Sequence, residues 1–243
     1  MPLLNFLRRA SALVVGIGLA SCANVSSYST PRTIPAGEGQ GTLALEGEAV
    51  AGSGRGAAVY PTGATYIYRY GVADRTDVGF RVGNFTALGI DAKENFLRGR
   101  IDLAVDPSAQ WYGGLSADLD VPRFLFDIPL IAAYNFSEST SLVVSPGVSF
   151  LTGWGDPGSN TMPRALQSTQ RGVYGRLGIG VNFRVLSAWA LQPEVTAMRE
   201  VAGGDAFILT GGLGITYGYL PSYEDLSASG PAADSGNSSG EQQ

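Results

Sequence analysis

The chain has 243 residues, of which 15 % are charged and 34 are glycine; it is too apolar for disorder throughout and too poor in Glu, Lys and Leu for a coiled coil. Its glycines lack the every-third-residue period of collagen. With no histidine and one cysteine, histidine-based triads, histidine-ligated metals and cysteine-cluster zinc sites are excluded.

Residues 1–9 carry Arg8 and Arg9 and lead into an apolar run, Ala10–Ala20. The run is too short to cross a bilayer as a helix, which takes about 20 residues. A basic start, a short apolar stretch and small residues before a cut site describe a secretory signal peptide, residues 1–21. The Arg pair sits in a poor match to a twin-arginine signal, so export in an unfolded state is expected. The run ends Leu19-Ala20-Ser21-Cys22, which resembles the lipobox of bacterial lipoproteins. That resemblance makes Leu19, Ala20 and Ser21 the signal-peptidase motif and Cys22 the attachment site of a diacylglycerol. In that family the new amino terminus is often acylated as well, so palmitate is an expected modification. Alanine at position 23, in place of aspartate, implies sorting to the outer membrane. A single cysteine reserved for thioether chemistry suits an oxidising compartment.

The mature chain loses two of 16 basic residues, leaving 14 against 21 acidic ones and a net charge of −7. No nucleic-acid partner is expected of such a chain. Residues 22–41, with Ser26, Ser27, Ser29, Thr30, Pro31, Pro35 and Gly37, read as a lipidated, exposed, flexible tether. Residues 221–243 read as a disordered tail. The folded domain is then 42–220, and its apolar period is two.

Alternate residues give ten candidate strands. Leu43, Leu45 and Ala49 alternate with Glu46 and Glu48; Tyr66, Tyr68 and Tyr70 with Thr65, Ile67 and Arg69. Val78, Phe80 and Val82 alternate with Gly79, Arg81 and Gly83; Leu88, Ile90 and Ala92 with Gly89, Asp91 and Lys93. Ile101, Leu103 and Val105 alternate with Arg100, Asp102 and Ala104. Phe124, Phe126, Ile128, Leu130, Ala132 and Tyr134 make an apolar face opposite Asp127. Leu142, Val144, Val148 and Phe150 oppose Val143, Ser145, Gly147 and Ser149. Leu177, Ile179, Val181 and Phe183 oppose Arg176, Gly178, Gly180 and Asn182. Trp189, Leu191 and Val195 oppose Gln192, Glu194 and Thr196. Last, Phe207, Leu209, Leu213, Ile215, Tyr217 and Tyr219 oppose Thr210, Gly212, Gly214 and Thr216. A hairpin-like pattern recurring near 70–78, 134–142 and 181–189 is how up-and-down sheets and barrels are written.

Several features indicate a barrel turned inside out. The polar face is glycine, serine and threonine with a balanced set of charges: Arg69, Arg81, Lys93, Arg100 and Arg176 against Glu46, Glu48, Asp91, Asp102, Asp127 and Glu194. A solvated exterior would carry many more charges, whereas a narrow lumen needs them few and paired. Connections near 71–76, 96–99, 135–140 and 184–187 are short, and those at 52–63, 107–122 and 153–170 are long. Tyr70, Tyr134, Phe183, Trp189, Tyr217 and Tyr219 gather at the short-turn end, where an interfacial girdle would lie. An even strand count puts both ends of the folded domain on the short-turn side, and with them the tether and a lipid in the periplasmic leaflet.

At this point the chain resembles small bacterial outer-membrane β-barrels, including uncharacterised barrels with a lipobox. Leu213-Gly214-Ile215-Thr216-Tyr217-Gly218-Tyr219 looks like the aromatic-ended final strand read by barrel-assembly machinery, although here more chain follows. The expected fold is therefore all-β, an antiparallel up-and-down β-barrel of transmembrane type with about ten strands (8–12). Pro129, Pro146 and Pro193 fall inside predicted strands and call for bulges.

Other motifs read as structural. Gly52-Ser53-Gly54-Arg55-Gly56 lacks the following helix of a phosphate loop and reads as a hairpin loop. Asp106, Asp118 and Asp120 read as loop aspartates ahead of a calcium site. Asp102 and Glu194, sharing a face with arginines, read as ion-pair partners ahead of catalytic carboxylates. No nucleophile–base pair can be assembled, so no enzyme, cofactor or metal is expected. The expected partners are membrane lipids, through Cys22 and the barrel exterior, with the barrel-assembly and lipoprotein-sorting machinery. The functional expectation is a lipid-anchored outer-membrane barrel, structural or narrowly conducting, its lumen plugged by ion pairs. The alternative is a periplasmic lipoprotein whose soluble barrel or sandwich binds an apolar ligand, with Phe124, Phe126, Leu130, Leu177, Ile179 and Leu213 lining the cavity.

Overall fold

The computed structural model describes residues 25–52, 56–83, 87–112, 123–153, 172–201, 207–223 and 226. Eleven strands run in chain order: β1 (Gly39–Gly52), β2 (Gly56–Ala73), β3 (Thr76–Gly83), β4 (Ala87–Leu97), β5 (Ile101–Val105), β6 (Ser108–Tyr112), β7 (Arg123–Asn135), β8 (Thr140–Gly153), β9 (Gly172–Leu186), β10 (Trp189–Glu200) and β11 (Phe207–Gly218). Each pairs antiparallel with its neighbours, β1 closes against β11, and β3 pairs β4. Among the described residues every strand is paired on both sides over at least part of its length, so the wall is closed.

The wall has ten staves, because β5 and β6 are two halves of one. Val105 faces Glu94 and Ser108 faces Asp91 on one side, while Val105 faces Leu130 and Ser108 faces Asp127 on the other, so the register is unchanged across the break. The interruption falls at Asp106-Pro107, opposite Pro129 in β7. Two prolines with no N–H to give leave the ladder incomplete there. It is held by single bonds, from Asp106 N–H to the Pro129 carbonyl (3.2 Å) and from Ala92 N–H to the Pro107 carbonyl (3.1 Å).

The bulges expected at the prolines are absent. Pairing lapses between Pro129↔Gly147 and Ala132↔Val144, and between Leu191↔Phe183 and Glu194↔Gly180, in each case without a change of register. The wall drops the missing hydrogen bonds in place. Register shifts occur elsewhere, at Glu46/Gly47, Gly71/Ala73, Asn95/Leu97 and Trp189/Ala190.

Two connections expected to be long prove shorter. β1 and β2 continue as a hairpin to Gly52↔Gly56, and β6 occupies the first part of the connection expected at 107–122. Asp118 and Asp120 lie outside the described residues, as do residues 53–55. The short turns, 74–75, 98–100, 136–139 and 187–188, share one end of the barrel. The strand ends Tyr112, Arg123, Gly153 and Gly172, which flank residues outside the described ones, lie at the other.

The alternation sorts the chain by polarity in the inverted sense. Outward positions are apolar and exposed: Leu45 50 %, Phe80 47 %, Ile90 63 %, Ile128 50 %, Ile179 50 % and Val195 51 %. Inward positions hold buried charges, amides and hydroxyls. Around the short-turn rim Tyr66, Tyr68, Tyr70, Tyr134, Phe183, Trp189 and Tyr217 are exposed. Tyr66 and Tyr217 join hydroxyls at 3.0 Å, and Trp189 lies 5.7 Å from the Tyr217 ring. Gly39 and Gly41 sit beneath this belt, where a Cβ would meet Tyr68 Oη at 2.5 Å and the Tyr217 ring at 2.7 Å.

Candidate functional site

The site is the lumen, and it is occupied by the chain's own N-terminal segment. Residues 25–34, expected as part of an exposed tether, run inside the barrel: Val25, Ser26, Ser27, Tyr28, Ser29, Arg32, Thr33 and Ile34 are all buried. The correction has a physical cause. Small polar residues signal exposure only where the interior is apolar, and this interior is polar.

The strap is held along its length. Val25 clusters with Ala87, Leu125, Leu151, Tyr174, Met198 and Ile208, all near the long-loop end. Ser26 Oγ donates to Thr196 Oγ1 at 3.3 Å. The N–H groups of Ser27 and Tyr28 donate to the two oxygens of Glu194 at 2.8 and 2.9 Å. Gln192 and Thr196 also donate to that carboxylate, at 3.0 and 3.2 Å. Tyr28 takes a φ of 43°, a left-handed conformation that costs a non-glycine residue about 1–3 kcal/mol. Convergence of successive N–H groups on one anion is the geometry of an anion-binding nest. The Tyr28 side chain lies over Gly212 and Gly214, where added Cβ atoms would stand 2.4 Å from its hydroxyl and 2.9 Å from its ring.

Lower in the lumen Lys93 Nζ donates to Ser29 Oγ (3.0 Å) and to the carbonyls of Thr30 (3.0 Å) and Arg32 (2.9 Å). Arg32 pairs with Asp102 at 2.6 Å, and Asp102 also accepts from Asn135 Nδ2 and Gly99 N–H, each at 2.8 Å. Ile34 N–H donates to Asp77 at 3.1 Å. The strap then turns back: Ala36 bridges Gly71, and Gly37 N–H donates to the Gly71 carbonyl at 3.0 Å.

Beside the strap stands a balanced ion-pair cluster. Arg69 pairs with Asp77, with Asp91 (2.5 Å) and with Asp106 (2.6 Å). Arg81 meets Asp91 at 3.2 Å, and Lys93 meets Asp77 at 3.4 Å. Across the lumen Arg176 pairs with Asp127, which also accepts from Ser149 Oγ at 2.6 Å. Gly79 makes room for the cluster, since a Cβ there would lie 2.2 Å from the Asp91 carboxylate.

Of the charges expected in the lumen, Glu48, Arg69, Arg81, Asp91, Lys93, Asp102, Asp127, Arg176 and Glu194 are buried, and Glu46 is half-buried. Arg100 is not among them. It is exposed, and its guanidinium sits 5.5 Å from the Tyr134 ring, because β5 begins only at Ile101 and position 100 belongs to the turn. Arg32, Asp77 and Asp106 were not expected in the network. Asp106, in the break between β5 and β6, is a buried partner of Arg69.

The short-turn mouth is closed by residues expected to begin a disordered tail. Tyr223 is buried beneath Arg32, whose guanidinium lies 4.0 Å from its ring, and Arg32 also donates to the Ser222 carbonyl at 2.5 Å. Between Tyr28, Gln192, Thr216 and Tyr223 the cavity measures about 20 Å³, room for about one water. Residues 224–225 and 227–243 lie outside the described residues, as do residues 1–24, on which the expected signal peptide and Cys22 fall.

An apolar ligand cavity of the kind considered above is not formed by its expected lining. Phe126, Leu130, Leu177 and Ile179 are exposed on the outside, Phe124 and Leu213 are half-buried there, and the space they enclose is polar.

The molecule is thus a closed, antiparallel, ten-stave β-barrel with an apolar exterior and a charged interior filled by its own chain. No protein-family model matches the sequence, and no curated protein matches it. Among solved structures it is similar to Ail, the attachment invasion locus protein of Yersinia pestis, at 13 % identity and a TM-score of 0.40, over 76 % of this chain and 99 % of that one. It is similar to Neisserial surface protein A at 12 % identity and 0.38, over 74 % and 97 %. An outer-membrane channel from Pseudomonas putida F1 matches at 12 % identity and 0.48, over 82 % and 100 %.

Proposed function

We propose that the chain is a lipid-anchored outer-membrane β-barrel with a structural, non-conducting role, closed by its N-terminal strap and the ion pairs beside it. The observation that carries this reading is the inversion of polarity. Exposed Leu, Ile, Val and Phe ring the wall while Arg69, Asp91, Lys93 and Asp102 lie buried inside. In water such an exterior would be a large apolar patch, a liability for a monomer; in a bilayer it is the lipid-facing band. Closure of the sheet satisfies the rule that no unpaired edge may face hydrocarbon. The aromatic rim supports the same placement, and the lipobox ending at Cys22 supports the anchor.

Recovery in the outer-membrane fraction, together with heat-modifiable migration on a denaturing gel, tests the reading. A Cys22→Ser protein without its signal peptide that stays monomeric in buffer without detergent would overturn it.

A further inference from the structure

The direction of the strap carries a consequence for the anchor. Strand parity places the start of β1 and the end of β11 at the short-turn end, as Gln40↔Gly218 shows. Taken alone, parity puts everything before β1 in the same compartment. The strap reverses this. From Gly37, hydrogen-bonded to Gly71 at the short-turn rim, the chain read backwards rises through the lumen. It passes Asp77 and Asp102, then Lys93, then Glu194 and Thr196, and reaches Ala87, Leu151 and Ile208 at the far end.

We infer that the N-terminal end of the mature chain leaves the barrel through its long-loop mouth, so that Cys22 carries its lipid on the outer face of the outer membrane. The inference rests on the proposal above for the lipid and the membrane, and on the strap for the side. Three residue steps separate Cys22 from Val25, a reach of at most about 11 Å. The 12 residues of β10 run about 40 Å along the strand, which at the roughly 40° tilt of such strands is about 30 Å between the two mouths, so the anchor cannot return to the short-turn side. Short turns face the periplasm and longer loops the exterior in barrels of this type.

Assembly is compatible with this path. The strap is continuous with β1, and β1 closes the wall against β11. Closing that seam wraps the wall around the strap, so acyl chains need not pass through a finished barrel.

The test places one short peptide tag between Ala23 and Asn24 and, in a separate protein, the same tag between Ser137 and Glu138 in a short turn. In intact cells the first tag is expected to be accessible to antibody and added protease, and the second only after the outer membrane is permeabilised. A first tag reached only after permeabilisation overturns the inference, as does a second tag reached in intact cells. An untagged Ser26→Cys/Thr196→Cys protein checks the path independently. The hydroxyls they replace are 3.3 Å apart, so a disulfide is expected in the folded barrel, and its absence overturns the strap's seat. Palmitate labelling separates the two readings: label lost in Cys22→Ala supports the lipid. Label retained there overturns the lipid reading, while the tags still decide which mouth the chain uses.

Discussion

Glu194 holds Tyr28 by its backbone, accepting the N–H at 2.9 Å, while its other oxygen takes the N–H of Ser27 at 2.8 Å. One wall carboxylate therefore satisfies two consecutive donors that the strap cannot satisfy for itself. A buried N–H left without an acceptor costs about 1–3 kcal/mol, and Glu194→Ala strands both. The strap is expected to detach more readily in that variant, with Glu194→Gln, which keeps one acceptor, between it and wild type. Trypsin reads this directly, because Arg32 is buried in the folded barrel. Cleavage after Arg32 in detergent should be slow in wild type and fast in Glu194→Ala; equal rates would remove Glu194 from the account.

Gly71 is where the strap must leave the lumen for β1. A Cβ at that position would stand 2.0 Å from the Pro35 carbonyl oxygen and 2.4 Å from that of Ile34. Both are backbone atoms and cannot swing away as a side chain could. Gly71→Ala is therefore expected to unseat the lower strap while leaving the wall closed, since Gly71 faces Asp77 near the end of the β2–β3 ladder. The expected result is tryptic cleavage at Arg32 with unchanged heat-modifiable migration. A protected Arg32 in that variant would contradict the close approach.

The wall was legible in the sequence, and its contents were not, for one reason. Period-two alternation reports which residues share a face, and with Arg69, Arg81 and Asp91 on the polar side it identified the lumen without any knowledge of closure. Asp77 shares parity with Gly79 and Arg81, and Asp106 shares parity with Asp102 and Ala104. Both could have been assigned to the lumen had their strands been drawn one step longer. Arg100 shows the opposite error, a parity extended beyond the residue where the strand begins. The strap carried no usable signal. Ser26, Ser27, Ser29, Thr30 and Pro31 have the composition of a linker, and a linker's polarity is also what a hydrogen-bonding interior accepts.

Arg69 faces three carboxylates, Asp77, Asp91 and Asp106. Removing one partner of a buried pair leaves an uncompensated charge, at about 3–5 kcal/mol. Arg69→Met is expected to lower refolding yield and the temperature of the gel-mobility transition sharply. Asp106→Asn added to it removes one stranded charge and should recover part of that loss. A double variant no better than the single one would mean that the carboxylates are solvated and the cluster is not closed.

The last prediction concerns conduction. A barrel of about eight strands is filled by its side chains, and ten staves leave only a little more room. That extra room is where the strap lies, against Glu194, Lys93 and Asp102. Deleting residues 25–36 admits water, so the freed wall charges are hydrated and not stranded, and the barrel should still close at β1 and β11. Heat-modifiable migration checks that it does. In planar bilayers the wild-type protein is expected to be silent and the deletion to show steady current, reduced by a synthetic peptide of residues 25–36. Steady wild-type current, unchanged by the deletion, by Arg81→Ala or by Arg176→Ala, would mean that ions bypass the strap and the lumen is an open pore.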